Sequence, residues 1–446
     1  MAGGIFDINI GKVRPGTYIN VEAQKTNSVE TAERGIAVVP ISAKYGKAGS
    51  VVEVTSSNAN ALKNILGYSV YDNEPSMLPV REALKHATTV KVYILAEGKK
   101  ATATSDTLTA TALFGGSRGN KFTVTVVSNP TEGYDVSVYL AGNKVEMFEK
   151  VKTVEELIAK KSEYLTFSGT GALSATAGAV LTGGDDGKVT NTEITKFLDD
   201  LENITFNAVA FPITGIEEDT FTAIKSKIKY LRDTLGKTGQ FVVANYAADY
   251  EGVINVTNGV ILDDGTEIDA VNATAFIAGI TAGALYNESN TYKVYDDAVS
   301  VLGLKTNEKA DIATKAGELY FSLNNAGEVV IDYDINSLCS SAAQGDKPDG
   351  YKKNRYIRVI DTLLDDLKEE FAPAKYDNND EGWDLIEGRG NAILKQYESD
   401  NAINNVDYEK DFVVDRNASS LDATYINIYI APLDSAEKIY ITVKTA

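Results

Sequence analysis

Between residues 193 and 246 the apolar pattern alternates twice between helical and strand period. Glu193 to Leu201 and Glu218 to Leu235 read as helices, and ITFNAVAF (204 to 211) and QFVVANY (240 to 246) read as strands. In the second helix Phe221, Ile224, Ile228, Leu231 and Leu235 recur at helical spacing, and Gly236 follows as a stop signal. Strands that alternate with amphipathic helices must bury their faces under those helices, so this stretch requires an α/β core. The same reading adds strands at GIAVVP (35 to 40) and TTVKVYILA (88 to 96), a helix over Asn58 to Leu66, and an Ala-rich helix over 270 to 286. In TTVKVYILA, Val90, Val92 and Ile94 share one face.

Two other stretches follow different rules. From about Glu97 to Gly187 the composition shifts to Thr, Gly, Ala and Ser. Strands dominate there, at KFTVTVV (121 to 127), YDVSVYL (134 to 140) and KVEMF (144 to 148), with one helix near 153 to 165. Its Gly- and Thr-rich borders are those of an insertion whose ends return together to the parent fold. From about Leu319 the chain reads as ELYFSL and EVVIDYDI, a helix through Ile360, Leu363, Leu364, Leu367 and Phe371, a helix over 383 to 398, then YINIYIA (425 to 431) and KIYITVK (438 to 444). At 446 residues the chain is long enough for two to four domains. The expected class is α+β, multidomain: an α/β core, an inserted small β-domain, and a C-terminal α/β domain with strand-forming terminal arms.

Composition excludes several functions. With 63 acidic against 43 basic residues and a net charge of −20, the chain lacks the basic surface that nucleic acid demands. The first fifty residues depart from this with a net charge of +2, a weakly basic leader on an acidic body. No export signal and no run of eighteen apolar residues occurs, so membrane insertion is not expected. The single Cys339 rules out an internal disulfide and any cysteine-based zinc cluster, and a reducing cytoplasm fits best.

Candidate chemistry fails motif by motif. Gly115-Gly116-Ser117-Arg118-Gly119 satisfies the short G-x-S-x-G pattern. However, a strand follows where a helix is needed, and the only histidine, His86, lies upstream of Ser117. His86 itself reads as a residue at a helix end. The run Asp377-Asn378-Asn379-Asp380-Glu381-Gly382 resembles a calcium loop at its first, third and sixth positions but has Gly388 where a bidentate carboxylate belongs. GGDDGKV (183 to 189) is one residue short of a Walker spacing and ends in Val where Ser or Thr must reach the metal. Asp263-Asp264-Gly265 reads as a hairpin turn. No catalytic residue, cofactor or metal is expected.

Both ends of the chain carry strand patterns. In Lys438, Ile439, Tyr440, Ile441, Thr442, Val443 and Lys444 the apolar residues alternate with the polar and aromatic ones; near the other end, Thr17, Tyr18, Ile19, Asn20, Val21, Glu22 and Ala23 follow the turn signal Arg14-Pro15-Gly16. The C-terminal pattern allows either a hairpin with YINIYIA or strand addition to a neighbouring copy. RPGTYINVEA, GGSRGNKFTV, YIRVIDTLLDDLKEEF and EKIYITV, in that order over essentially the whole chain, resemble the tail sheath family of contractile phages and phage-derived bacteriocins.

The resemblance implies a homo-oligomer, a six-fold helical sheath around a tail tube, with a baseplate and a tail terminator as further partners. Assembly would occur in the host bacterial cytoplasm and end in a virion or phage-like particle tail. It also implies residues 1–24 as an N-terminal linking arm, 25–96 plus 188–315 as the α/β domain, and 97–187 as an inserted outer domain. Residues 316–436 would be the assembly domain and 437–446 the C-terminal linking strand. The two heptapeptides above would be the inter-subunit linking strands, and contraction would draw on energy stored in packing. The competing reading is a soluble α/β enzyme of unknown substrate with an inserted β-domain. A surface-array or adhesin protein is disfavoured by the missing export signal.

Overall fold

The computed structural model describes residues 34–445, together with the strand backbones Ala2–Gly4 and Gly16–Tyr18. Its centre is a seven-stranded sheet in the order Glu318–Leu319, Val253–Val256, Gln240–Ala244, Ala208–Ala210, Ile36–Ile41, Thr89–Ile94, Val51–Val54. All neighbours are parallel except the edge strand Val51–Val54. Both faces are covered, as a parallel sheet requires. Ala37, Val39, Val90, Val92 and Val242 enter one core with Val80, Ala83 and Phe276 from the helices Leu78–Leu84 and Ala270–Gly283. Their neighbours Val38, Tyr93, Phe241 and Val243 enter the opposite core with Phe197 and Ile228 from the helices Asn191–Asp200 and Glu218–Lys229. The helix Ala270–Gly283 packs tightly because it carries glycine where it meets its neighbour: a Cβ on Gly279 would stand 2.3 Å from the Ala83 carbonyl oxygen.

Residues 102–180 form two antiparallel sheets around their own core. One runs Asn143–Val151, Tyr134–Leu140, Phe122–Ser128, Thr176–Val180, and the other Leu165–Gly169, Leu108–Ala112, Thr102–Ser105. The chain enters and leaves side by side, with bridges Lys99 to Asp185 and Thr102 to Thr182. Beyond residue 353, the helices Asn354–Glu370 and Asp380–Ser399 and the strand pair Phe412–Val414 with Ile426–Ile428 enclose another core, built on Leu363, Ile393, Tyr397 and Phe412.

Several elements differ from their sequence patterns. Only Lys63–Leu66 of the helix expected at 58 to 66 is helical. The Asn58 side chain takes the Thr55 amide at 2.8 Å and donates to the Glu53 carbonyl at 3.0 Å, a local turn that competes with helix. The helix near 153 ends at Ala159, and Lys161 has φ 45°. The strand expected at 204 to 211 shrinks to Ala208–Ala210; just before it, Asn207 Oδ1 accepts from the Gly35 and Ile36 amides while its own amide bonds the Ile36 carbonyl at 2.8 Å. Residues 318–331, grouped by sequence with the C-terminal portion, pack in the central core through Leu319, Phe321, Val329 and Ile331. KIYITVK forms neither strand nor helix.

Candidate assembly site

The enzyme-like motifs are used in building the molecule. Gly116 has φ 133°, and a Cβ there would lie 2.0 Å from the Lys44 carbonyl oxygen, so the GGSRG segment presses directly against the central body. The Ser117 amide donates to Asp186 Oδ1 at 2.7 Å, and Arg118 Nε donates to the Gly67 carbonyl at 3.0 Å with its guanidinium over the Tyr68 ring. Gly184 exchanges bonds with Asn120, its amide and carbonyl both at 2.8 Å. The nucleophile-elbow and phosphate-loop lookalikes therefore form the two halves of one joint between the inserted β-unit and the central sheet.

The calcium-like run is a helix cap: Asn379 Oδ1 accepts the Gly382 amide at 2.9 Å, and Asn378 Oδ1 accepts Trp383 Nε1 at 2.6 Å. His86 stands edge-on to Phe276, and burial holds its pKa below the ordinary value. Asp263-Asp264-Gly265 turns between Gly259–Leu262 and Glu267–Ile268, with Gly265 at φ 83°. Among the described residues no group of three His, Cys, Asp or Glu side chains is placed to hold a metal, and no helix is long and apolar enough to cross a membrane.

The C-terminal segment behaves differently. YINIYIA pairs through Ile426–Ile428 with Phe412–Val414, and KIYITVK forms no hairpin with it. Residues 431–437 are fastened down: the Asn404 amide bonds Ala431, the Leu433 amide bonds Ala402, and Arg355 Nη1 donates to Ser435 Oγ at 2.8 Å. The last residue held by side-chain hydrogen bonds is Glu437, with Lys438 Nζ over the Tyr333 ring just past it. The Glu437 carboxylate accepts from Ser289 Oγ at 2.9 Å and Thr291 Oγ1 at 2.7 Å, and it pairs with Lys353 Nζ, which also lies 3.6 Å from Asp434. Burial works against the Lys353 charge, but the bond to Glu437 outweighs it and the pKa rises. Immediately beyond, Lys438 to Lys444 are exposed. Ile439, Ile441 and Val443 stand 74%, 79% and 80% accessible, as large apolar side chains seldom do on a lone subunit.

At the other end, Thr17 and Tyr18 fall in the strand Gly16–Tyr18, whose backbone runs parallel to Ala2–Gly4. Ile19, Asn20, Val21, Glu22 and Ala23 lie outside the described residues. Glu437, Lys353, Ser289 and Thr291 carry no motif; only a fold brings residues so distant in sequence to one point.

A body whose motifs serve its own joints, with an apolar-alternating segment held outside it from a buried root, has the build of a structural subunit of a larger assembly. Family descriptions match nearly the whole chain: tail sheath protein Gp18 domain III N-terminal region over 34–95, phage tail sheath protein beta-sandwich domain over 96–186, phage tail sheath protein central domain over 187–337, and phage tail sheath C-terminal domain over 346–446. The phage-like element PBSX protein XkdK of Bacillus subtilis (strain 168) is 34% identical over the full length of both chains. The crystal structure of the sheath tail protein from Desulfitobacterium hafniense is 37% identical, with TM-score 0.82 over 96% of this chain and 99% of that one. The contracted helical sheath of the anti-feeding prophage shares the fold at 12% identity, with TM-score 0.59 over 98% of this chain and 100% of that one. The chain belongs to the phage tail sheath family and is a structural subunit of a contractile tail sheath.

Proposed function

We propose that copies of this chain link into a six-fold sleeve by strand addition, Lys438 to Lys444 of one subunit and Thr17 to Ala23 of another adding to sheet edges of adjoining copies. The observation that carries the reading is the exposed alternation of Ile439, Ile441 and Val443 just past the Glu437 root. Unpaired backbone and an apolar face are together what strand addition uses: the backbone supplies cohesion and the alternation sets register. Rigid bodies tied by such segments can rotate and slide while staying connected, so contraction is a change of packing that consumes no nucleotide. The sleeve surrounds a tail tube, starts at a baseplate and ends at a terminator. It is made in the host cytoplasm, works as part of a phage or bacteriocin-like particle that drives the tube through a bacterial envelope, and catalyses no reaction. Use of the G-x-S-x-G and GGDDGKV segments as a joint supports that last point. Removing residues 438–446 tests the linkage: electron microscopy should show sleeves from the full chain and only small particles from the truncated one. Normal sleeves from the truncated chain would refute it.

A further inference from the structure

Two polar roots stand where the continuously described body meets the segments read as linking arms. Arg34, at the head of the continuously described chain, turns its guanidinium into the C-terminal end of the helix Ala270–Gly283. Nη2 donates to the Thr281 carbonyl at 3.2 Å and Nε to the Ala284 carbonyl at 3.4 Å, while Nη1 donates to Thr362 Oγ1 at 3.1 Å. A helix C-terminus is its negative end, so this is a favourable seat for a cation. Burial, helped by the nearby Arg358, lowers the Arg34 pKa to about 10, which leaves it charged at neutral pH. The second root is Glu437 on Lys353, and Lys353 is the N-cap position of the helix Asn354–Glu370.

Both roots therefore sit on one helix. Between them runs a polar stripe, Asn354, Arg358 and Thr362, four residues apart and so on one face, with Asp361 beside it three residues on from Arg358. Asn354 Nδ2 and Arg358 Nη2 donate to Asp334 at 2.8 and 2.7 Å, and Asp361 takes both outer nitrogens of Arg232 at 2.7 Å. Nine residues separate Lys353 from Thr362, about 13 Å of helix whose backbone bonds resist stretching.

We propose that the helix Asn354–Glu370 is a strut joining the two arm roots, holding Arg34 through Thr362 and Glu437 through Lys353, so that a pull on one arm is felt at the other. Its role in the sleeve rests on the strand-linking reading; the coupling is a property of the single subunit. In the polymer, load passes from neighbour to neighbour through this helix and bypasses the inserted β-unit, which can then vary without altering the linkage.

Hydrogen exchange on the full chain and on Glu437→Gln tests it, with Ser289→Ala as a second break of the same root. Losing one charge-assisted bond at the root should speed exchange on the order of tenfold at 354–362 and at 281–284, with the helix Asn191–Asp200 unchanged. Acceleration confined to 431–445 would overturn the strut. So would acceleration equal in Asn191–Asp200, since general loosening would then carry the effect. Sleeve formation by the chain lacking 438–446 is scored separately: it would end the strand-linking reading and leave the exchange result standing.

Discussion

Replacing Asp361 by Asn removes the carboxylate that ties the helix Asn354–Glu370 to the central sheet. Asp361 accepts Arg232 Nη1 and Nη2, each at 2.7 Å, and the Gly239 amide at 2.9 Å, with its side chain only 5% exposed. Arg232 can aim there because Tyr230–Thr234 is a π turn at the end of the preceding helix. Breaking a buried pair from one side leaves the other charge desolvated and costs about 3–5 kcal/mol. Asn keeps one acceptor oxygen and the shape of the side chain, so the lower end, about 3 kcal/mol, is expected. For a cooperative unit of this size that is a fall of about 6–12 °C in melting temperature, read by calorimetry on the monomer. Replacing both partners by apolar groups, Arg232→Met with Asp361→Leu, should recover only part of the loss: no unpaired charge remains, but the Gly239 amide and carbonyl lose their partners. A single variant melting within about 1 °C of the parent would refute the idea that this pair seals the seam.

Four further outcomes are expected. Gly116→Ala forces a Cβ onto the Lys44 carbonyl at φ 133°, so residues 97–186 should become the first site of limited proteolysis. Asp249 is pulled down to about 2: burial opposes its charge, but the Cys339 and Ser340 amides and the Ser340 hydroxyl bind the carboxylate and win. Its folded pKa lies below the unfolded value, so its contribution is present above about pH 4 and is lost as pH falls towards about 2. Asp249→Asn should therefore flatten the acid limb of the stability curve in that window. Asn379→Ala removes a helix cap and should cost about 1 kcal/mol in denaturant titration. Calcium or a chelator should leave the melting temperature unchanged, since Asn378 and Asn379 of the calcium-like run are engaged in capping and in the Trp383 bond.

Periodicity revealed the central-sheet strands around 36–41, 89–94 and 240–244, since Ala37, Val38 and Val39 must divide between two helix-covered faces and alternation shows it, but it gave no strand at Val51–Val54 or Val253–Val256. It served less well for the helix Asn354–Glu370. The apolar repeat Ile360, Leu363, Leu364, Leu367, Phe371 located the helix, yet Leu364 is 43% exposed while Arg358 and Asp361 are buried. A charged stripe reads as a solvated face unless its partners are known, and Arg232, Asp334 and Gly239 lie 24 or more residues away in sequence. The terminal heptapeptide was visible as a strand pattern because alternation is local. Its root at Glu437 was not, because Ser289, Thr291 and Lys353 meet it only through the fold.

The most direct measurement is the structure of the assembled sleeve by electron cryomicroscopy, at a resolution that traces Lys438 to Lys444. The backbone of this segment should be hydrogen-bonded to a sheet edge of a neighbouring copy, with Ile439, Ile441 and Val443 on the buried face. A segment folded back onto its own subunit, in a sleeve held together by other surfaces, would contradict it.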